Sequence, residues 1–256
     1  MDDAHFKIRL VHGLKEVEPD AWNALANPPG VEFDPFLSWE FLEAMESSGA
    51  ATPRTGGAWP ACGMGRSGGG RGFAHSWDDA FEGGGGHYYP KLLSAVPFTP
   101  VTGRRRLVRP GQPDEARISN ALLAGAVQIA QQNDISSLHI NFVTREDAAD
   151  MDEAGLLIRT DQQFHWHNDG YESFDDFLAV LSSSKRKNLR KERAKAQEGL
   201  TFEHIPGADI TEAHWDAFYE FYVDTGARKW GSPYLNRDTF SLLGERMSER
   251  LLLIFA

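Results

Sequence analysis

The chain has little of what many enzyme classes require. A single cysteine, Cys62, in 256 residues excludes an internal disulfide and suits a reducing compartment. No apolar run approaches the roughly 18 residues that a membrane span needs. The opening MDDAHFKIRLVHG starts acidic and holds no apolar core; this argues against a secretory signal and makes the cytoplasm the expected location. Net positive charge is also missing. The 26 Lys and Arg stand against 37 Asp and Glu, for a net charge of -11, so the whole-molecule field repels phosphate and excludes a general nucleic-acid coat. There is no G-x-S-x-G elbow and no G-x-x-x-x-G-K-[ST] loop. Cys62 sits in a glycine-rich run with no helix start to activate it, which rejects it as a catalytic thiol. No motif therefore supports a covalent intermediate. Direct attack by a substrate amine on an activated acyl group needs only positioning, a base and a carbonyl polariser.

What is present alternates between helix and strand signals, which predicts an α/β (α+β) chain. Strands are expected at 5–11, 94–101, 136–143, 156–168 and 200–205, with RLLLIFA as a last strand at the end. Helices are expected at 19–26, 35–47 (stopped by Gly49), 115–133, 145–154, 174–181 (capped by Ser173), the basic stretch up to Gly199, and 237–247. Asp209 and Glu212 are spaced as a capping box for a helix that sets Trp215, Phe218, Tyr219 and Tyr222 on one side. GAWPACGMGRSGGGRG (57–72) shows neither period. The opening order of strand, helix, helix returns near the end. This divides the chain into a unit at 1–170 disrupted near 57–72, a helical linker at 171–200, and a second unit at 201–256 that is cut short.

Positive charge is concentrated in one place. Lys185, Arg186, Lys187, Arg190, Lys191, Arg193 and Lys195 surround a single acid, Glu192, so this stretch is +6 and the remainder is -17. Cations in the first turn of a helix oppose its dipole at a cost of about 0.3–1 kcal/mol each. An anion docked there would meet N–H groups, serine hydroxyls and cations together. The bland alternative, a solvated face pairing with the acidic remainder, has about equal weight. His165 and His167, two apart, suit a proton relay, but no further ligand completes a metal site, and no metal is expected. Arg228, Lys229, Trp230 and Tyr234 cluster in a Gly/Pro loop of the kind that carries binding residues, or that an anchoring tryptophan holds in place.

PFTPVTG (97–103), QFHWHN (163–168), SSSKRKNLRKER (182–193) and WDAFYEFYVDTGARKWGSPYL (215–235) together resemble the bacterial FemAB-like predicted N-acyltransferases of the GNAT superfamily. The resemblance implies two GNAT-like mixed-sheet units with flanking helices, the second incomplete. It also implies transfer of an acyl or aminoacyl group to an amine of an anionic acceptor, a small molecule or a cell-wall precursor. The donor is an acyl-CoA or an aminoacyl-tRNA. By position, Lys185, Arg186, Asn188 and Arg190 become the anion contacts, Arg228, Lys229, Trp230 and Tyr234 belong to the substrate cleft, and His165 or His167 relays the amine proton. Two departures stand out. The interlude at 57–72 is what an out-of-frame read of GC-rich DNA would produce, and relatives continue past the position of Ala256, so an inactive fragment is expected. A non-catalytic module for an anionic ligand or RNA is the alternative.

Overall fold

The computed structural model of the chain describes residues 6–52, 64–67, 83–85, 89–228 and 233–256. Pro19 opens α1 (Pro19–Ala26) at a position where its missing N–H costs nothing. The helix expected at 35–47 is two pieces, a 3-10 turn at Pro35–Leu37 and α2 (Trp39–Ser47). Ser38 divides them. Its hydroxyl donates to the Pro35 carbonyl at 2.6 Å and accepts from the Phe41 N–H at 3.3 Å, capping α2. Gly49 then ends the turn in a left-handed conformation at φ +73°. Trp22 donates its indole N–H to the Leu37 carbonyl at 2.8 Å. With Phe41, Leu42 and Met45 it builds a core that also takes in Val96, Leu107 and the distant Met247.

Three short strands form one sheet in chain order: β1 (Met64–Ser67), β2 (Lys91–Ser94) and β3 (Leu138–Ile140). β1 is antiparallel to β2, and β2 is parallel to β3 with Leu92 opposite Leu138. A parallel pair needs a long crossover, supplied by α3 (Glu115–Gln132). Leu122, Leu123 and Ala126 of α3 face Ser94 and Ile140 across a cavity of about 20 Å³. α3 therefore covers one face of the sheet. α4 (Arg145–Glu153) follows, capped by Thr144, which accepts from the Asp147 N–H at 3.1 Å.

The chain then forms a helical hairpin, α5 (Phe174–Ala179) and α6 (Ser183–Gln197), before β4 (Glu203–Pro206). β4 pairs antiparallel with β5 (Leu252–Phe255). Between them lie α7 (Glu212–Arg228) and α8 (Arg237–Met247). As expected, the aromatic stripe of α7 packs inward. Trp215, Phe218, Tyr219 and Tyr222 surround Phe240 of α8 with ring centroids 5.2 to 6.1 Å away. α8 also lies against α2. Thr239, fully buried, bonds the Ser48 hydroxyl at 3.0 Å, Asn236 donates to the Ser48 carbonyl at 2.6 Å, and Arg246 pairs with the buried Glu43.

The helix expectations hold to within a residue or two, apart from the division at Ser38 and an α5 that stops at Ala179. The strands do not hold as well. Phe6–Val11 is not a strand; Ile8 instead packs on α3, where Gly125 leaves no side chain in its way. The strand expected at 94–101 lies earlier, at β2, because Pro97 and Pro100 remove ladder donors and Phe98 turns to φ +55°. Phe142, also at φ +55°, follows soon after β3 ends. Residues 156–168 form no strand, and Leu157 and Phe164 are 99% and 89% exposed. Asp209 sits in a 3-10 turn, and the reciprocal cap of α7 is Thr211 with His214: each backbone N–H donates to the other's side chain, at 3.0 and 3.4 Å. The interlude at 57–72 lies outside the described residues apart from the backbone of β1.

Candidate functional site

The seven cations of α6 sort into two faces. Arg186, Arg190 and Arg193, at i, i+4 and i+7, turn toward α5. Arg186 donates to the Ala179 carbonyl at 3.2 Å, Arg190 pairs with Asp175 at 2.8 Å, and the Arg193 guanidinium lies 4.3 Å from the Phe174 ring centroid. Lys187, Lys191 and Lys195 lie about a quarter to half a turn from the middle of that face at roughly 100° per residue. They are exposed, without an ion-pair partner among the described residues, as are Lys185 and the exposed Asn188. The division follows side-chain chemistry. A planar guanidinium stacks and forks onto a neighbouring helix, while a compact, strongly hydrated ammonium stays in water. The arrangement also answers the dipole problem in part, because Arg186 in the first turn of α6 sits on the last carbonyl of α5, a site that favours a cation.

The four stretches singled out in the sequence form a chain of direct contacts. From α6, Arg193 and Arg190 reach Phe174 and Asp175 of α5. Phe177 of α5 meets Trp166 edge-on at 6.0 Å, and Tyr171 packs against both. Three residues before Trp166, Gln163 donates to the Pro100 carbonyl at 2.8 Å. Within 97–103, Phe98 stacks on Tyr234 at 5.3 Å and 17°. Basic helix, histidine segment, proline loop and Tyr234 are thus linked in series.

Arginine holds the proline loop to the sheet. Arg105, 3% exposed, donates to the Val101 carbonyl at 2.6 Å and the Asn141 carbonyl at 3.0 Å, fixing the loop after β2 against the end of β3. Burial lowers its pKa, against the opposing fields of Asp34 and Asp147. Burial also disfavours the charge on Arg106, but its bonds to Asp147 at 2.6 and 3.0 Å and Asp150 at 2.8 Å outweigh this and raise its pKa.

His165 and His167 are exposed, their rings 6.2 Å apart, and His165 meets the Gln163 side chain at 3.2 Å. No group of three or more metal-ligating side chains occurs among the described residues. Arg228 pairs with Asp224 one turn back on α7. Lys229 and Trp230 lie outside the described residues. Sequence reasoning passed over Gln163, Phe98 and Arg105, and with them a polar pair at the start of β3, Ser137 just before the strand and His139 within it. There the Ser137 hydroxyl and His139 Nε2 are 2.9 Å apart. Burial, then the charges of Lys91 and Arg159, holds His139 below the ordinary histidine value. The available signal was the S-x-H spacing, which on a strand sends both side chains to one face.

No curated protein matches the chain, and no solved structure matches it. A family model does: FemAB-like proteins, described as peptidoglycan biosynthesis/recognition, over residues 13–256. With nearly its whole length matched, the chain belongs to the FemAB-like family of peptidoglycan biosynthesis and recognition.

Proposed function

We propose that the protein is a cytoplasmic N-acyltransferase that moves an acyl or aminoacyl group onto an amine of an anionic peptidoglycan precursor. The carrying observation is the outward lysine face of α6, whose cations have no ion-pair partner among the described residues, at the head of the contact chain to Tyr234. Membership of a family of peptidoglycan biosynthesis and recognition supports a cell-wall precursor as the acceptor. In this assignment Lys187, Lys191 and Lys195, with Lys185 and Asn188 beside them, hold acceptor phosphate or carboxylate. Arg186 and Arg190 position the helix that carries them. Tyr234 walls the cleft with Phe98, and Arg228, Lys229 and Trp230 are assigned as further substrate contacts. His165 or His167 takes the amine proton, as a neutral imidazole can near pH 7. The donor is an acyl-CoA or an aminoacyl-tRNA, and the plan is two GNAT-like units, at 1–170 and 201–256, joined through 171–200.

The test is direct. The chain is incubated with a phosphate-bearing peptidoglycan precursor and either donor, and the product is read by mass spectrometry. Acylation of the precursor amine with one donor is expected; binding of the precursor without transfer from either would overturn the enzymatic assignment. That outcome selects the second reading, a non-catalytic module for an anionic ligand or RNA. The regular row of lysines, about 6 Å apart along the axis, favours it, and a steep loss of affinity with salt would accompany it.

A further inference from the structure

Two phenylalanines beyond the parallel pair of β2 and β3 hold left-handed backbone. Phe98 and Phe142 both stand at φ +55°, a conformation that a bulky side chain keeps only where its surroundings impose it, and one that gathers at ligand sites. Both follow the carboxyl end of their strand, Phe98 after Ser94 and Phe142 after Ile140. In sheets with parallel strands, ligands collect outside those ends. Arg105 ties the two exits together through the Val101 and Asn141 carbonyls.

Phe98 uses this turn to lay its ring against Tyr234, with centroids 5.3 Å apart and planes 17° from parallel. The backbone of Tyr234 is fixed as well. The Tyr222 hydroxyl accepts the N–H of Tyr234 at 3.1 Å and that of Leu235 at 3.2 Å, and Tyr222 itself packs on Phe240. A ring held this firmly would ordinarily belong to the core, yet Tyr234 is 58% exposed. Phe98, half-buried, covers one side of it and leaves the rest to solvent. An aromatic surface already immobilised loses little freedom when a ligand arrives.

The partner that fits such a surface is a third flat ring. A parallel stack is extended by a planar π system, which a puckered sugar or an aliphatic chain does not offer. Adenine is the flat ring that an acyl-CoA and an aminoacyl-tRNA have in common. The first carries it in its nucleotide handle, the second in the terminal nucleotide that bears the aminoacyl group. The proposed base belongs to the same loop: the Gln163 side chain donates to the Pro100 carbonyl at 2.8 Å and meets His165 at 3.2 Å.

We infer that the Phe98–Tyr234 stack is the platform for the adenine ring of the acyl donor, with Tyr234 in contact and Phe98 a positioning residue behind it. This rests on the proposed acyl transfer for the donor classes alone; stacking is tested without any transfer.

The probe is adenosine monophosphate, titrated into the full chain with its tyrosine rings isotope-labelled and followed by NMR. The Tyr234 ring signals, identified by their absence in Tyr234→Ala, should move upfield under the ring current of a stacked purine. Tyr234→Ala should weaken the probe by about fivefold or more, and Tyr234→Phe should keep its affinity. Phe98→Ala should weaken it and Phe98→Tyr restore it. The exposure of Tyr234 makes its variants compatible with folding, so they carry the test should Phe98→Ala fail to fold. Uridine monophosphate, with its smaller ring, should bind more weakly. Coenzyme A or a short RNA ending in CCA should displace the probe, and whichever does so names the donor. No shift at Tyr234, unchanged affinity in Tyr234→Ala, equal binding of the uridine nucleotide, or displacement by neither donor fragment would overturn the inference. Stacking at Tyr234 with no transfer from either donor would leave the platform standing while the acyl-transfer reading fell; transfer with no shift at Tyr234 would do the reverse.

Discussion

The region where α2 meets α8 and the hairpin of α5 and α6 use the same kinds of charged residue in opposite ways. In the first, Glu43 is buried, its partner Arg246 comes from 203 positions away, and Thr239 and Ser48 are bonded between the two helices. In the second, no residue of α6 is buried, and the arginine contacts span 7 to 19 residues within one hairpin. Charge in the first region holds distant parts of the chain together. In the second it orients one helix and leaves a row of lysines facing water. A charged residue between α2 and α8 should therefore report on stability, and a lysine of α6 on binding.

The most severe way to break the comparison is Arg246→Ala. It strands the Glu43 carboxylate in a buried position, and losing one partner of such a pair costs about 3–5 kcal/mol. Denaturant unfolding should show that loss. Next comes Leu178→Ala. Leu178 is 0% exposed and is the one buried residue of α5, so truncation should cost about 2–4 kcal/mol. Leu178 lies next to Phe177, which packs on Trp166 and Tyr171, so the cost should appear as faster amide exchange in α5 and α6. A uniform rise across α2 and α8 would show that the hairpin is not a separate unit of stability.

A smaller effect comes from Glu46 beside the α2 core. Burial raises its pKa from 4.5, partly offset by the bond from the Leu14 N–H and by Lys15. The folded state therefore holds this proton more tightly than the unfolded chain does. The contribution is complete below pH 4.5 and is lost as pH rises through the raised value. Glu46→Gln should remove that component of the pH–stability profile and leave neutral-pH stability equal or slightly improved.

Helices were legible because their signals are local. Pro19 at the first position, Thr144 and Ser173 as caps, and Gly49, Gly155 and Gly199 at left-handed stops can each be identified without knowing the fold. Strand identity depends on a neighbour, which sequence order hides. HFKIRLV has strand composition, but its Ile8 packs on α3, and the 156–168 stretch pairs with no strand among the described residues. For the candidate site, the density of charge was visible in SSSKRKNLRKER, but its division between arginine and lysine faces was not, because that depends on where α5 lies. Tyr234 could be named from its loop, but its stacking on Phe98 could not, since 136 residues separate them.

The central claim is that the lysine face of α6 binds the anionic acceptor while its arginine face holds the hairpin together. Isothermal titration of a phosphate-bearing peptidoglycan precursor into the chain carrying Lys187→Glu, Lys191→Glu and Lys195→Glu tests it most directly. The predicted result is a loss of affinity of about tenfold or more, about 1.4 kcal/mol, with the thermal unfolding midpoint unchanged. Unaltered affinity in the folded triple variant would contradict the claim.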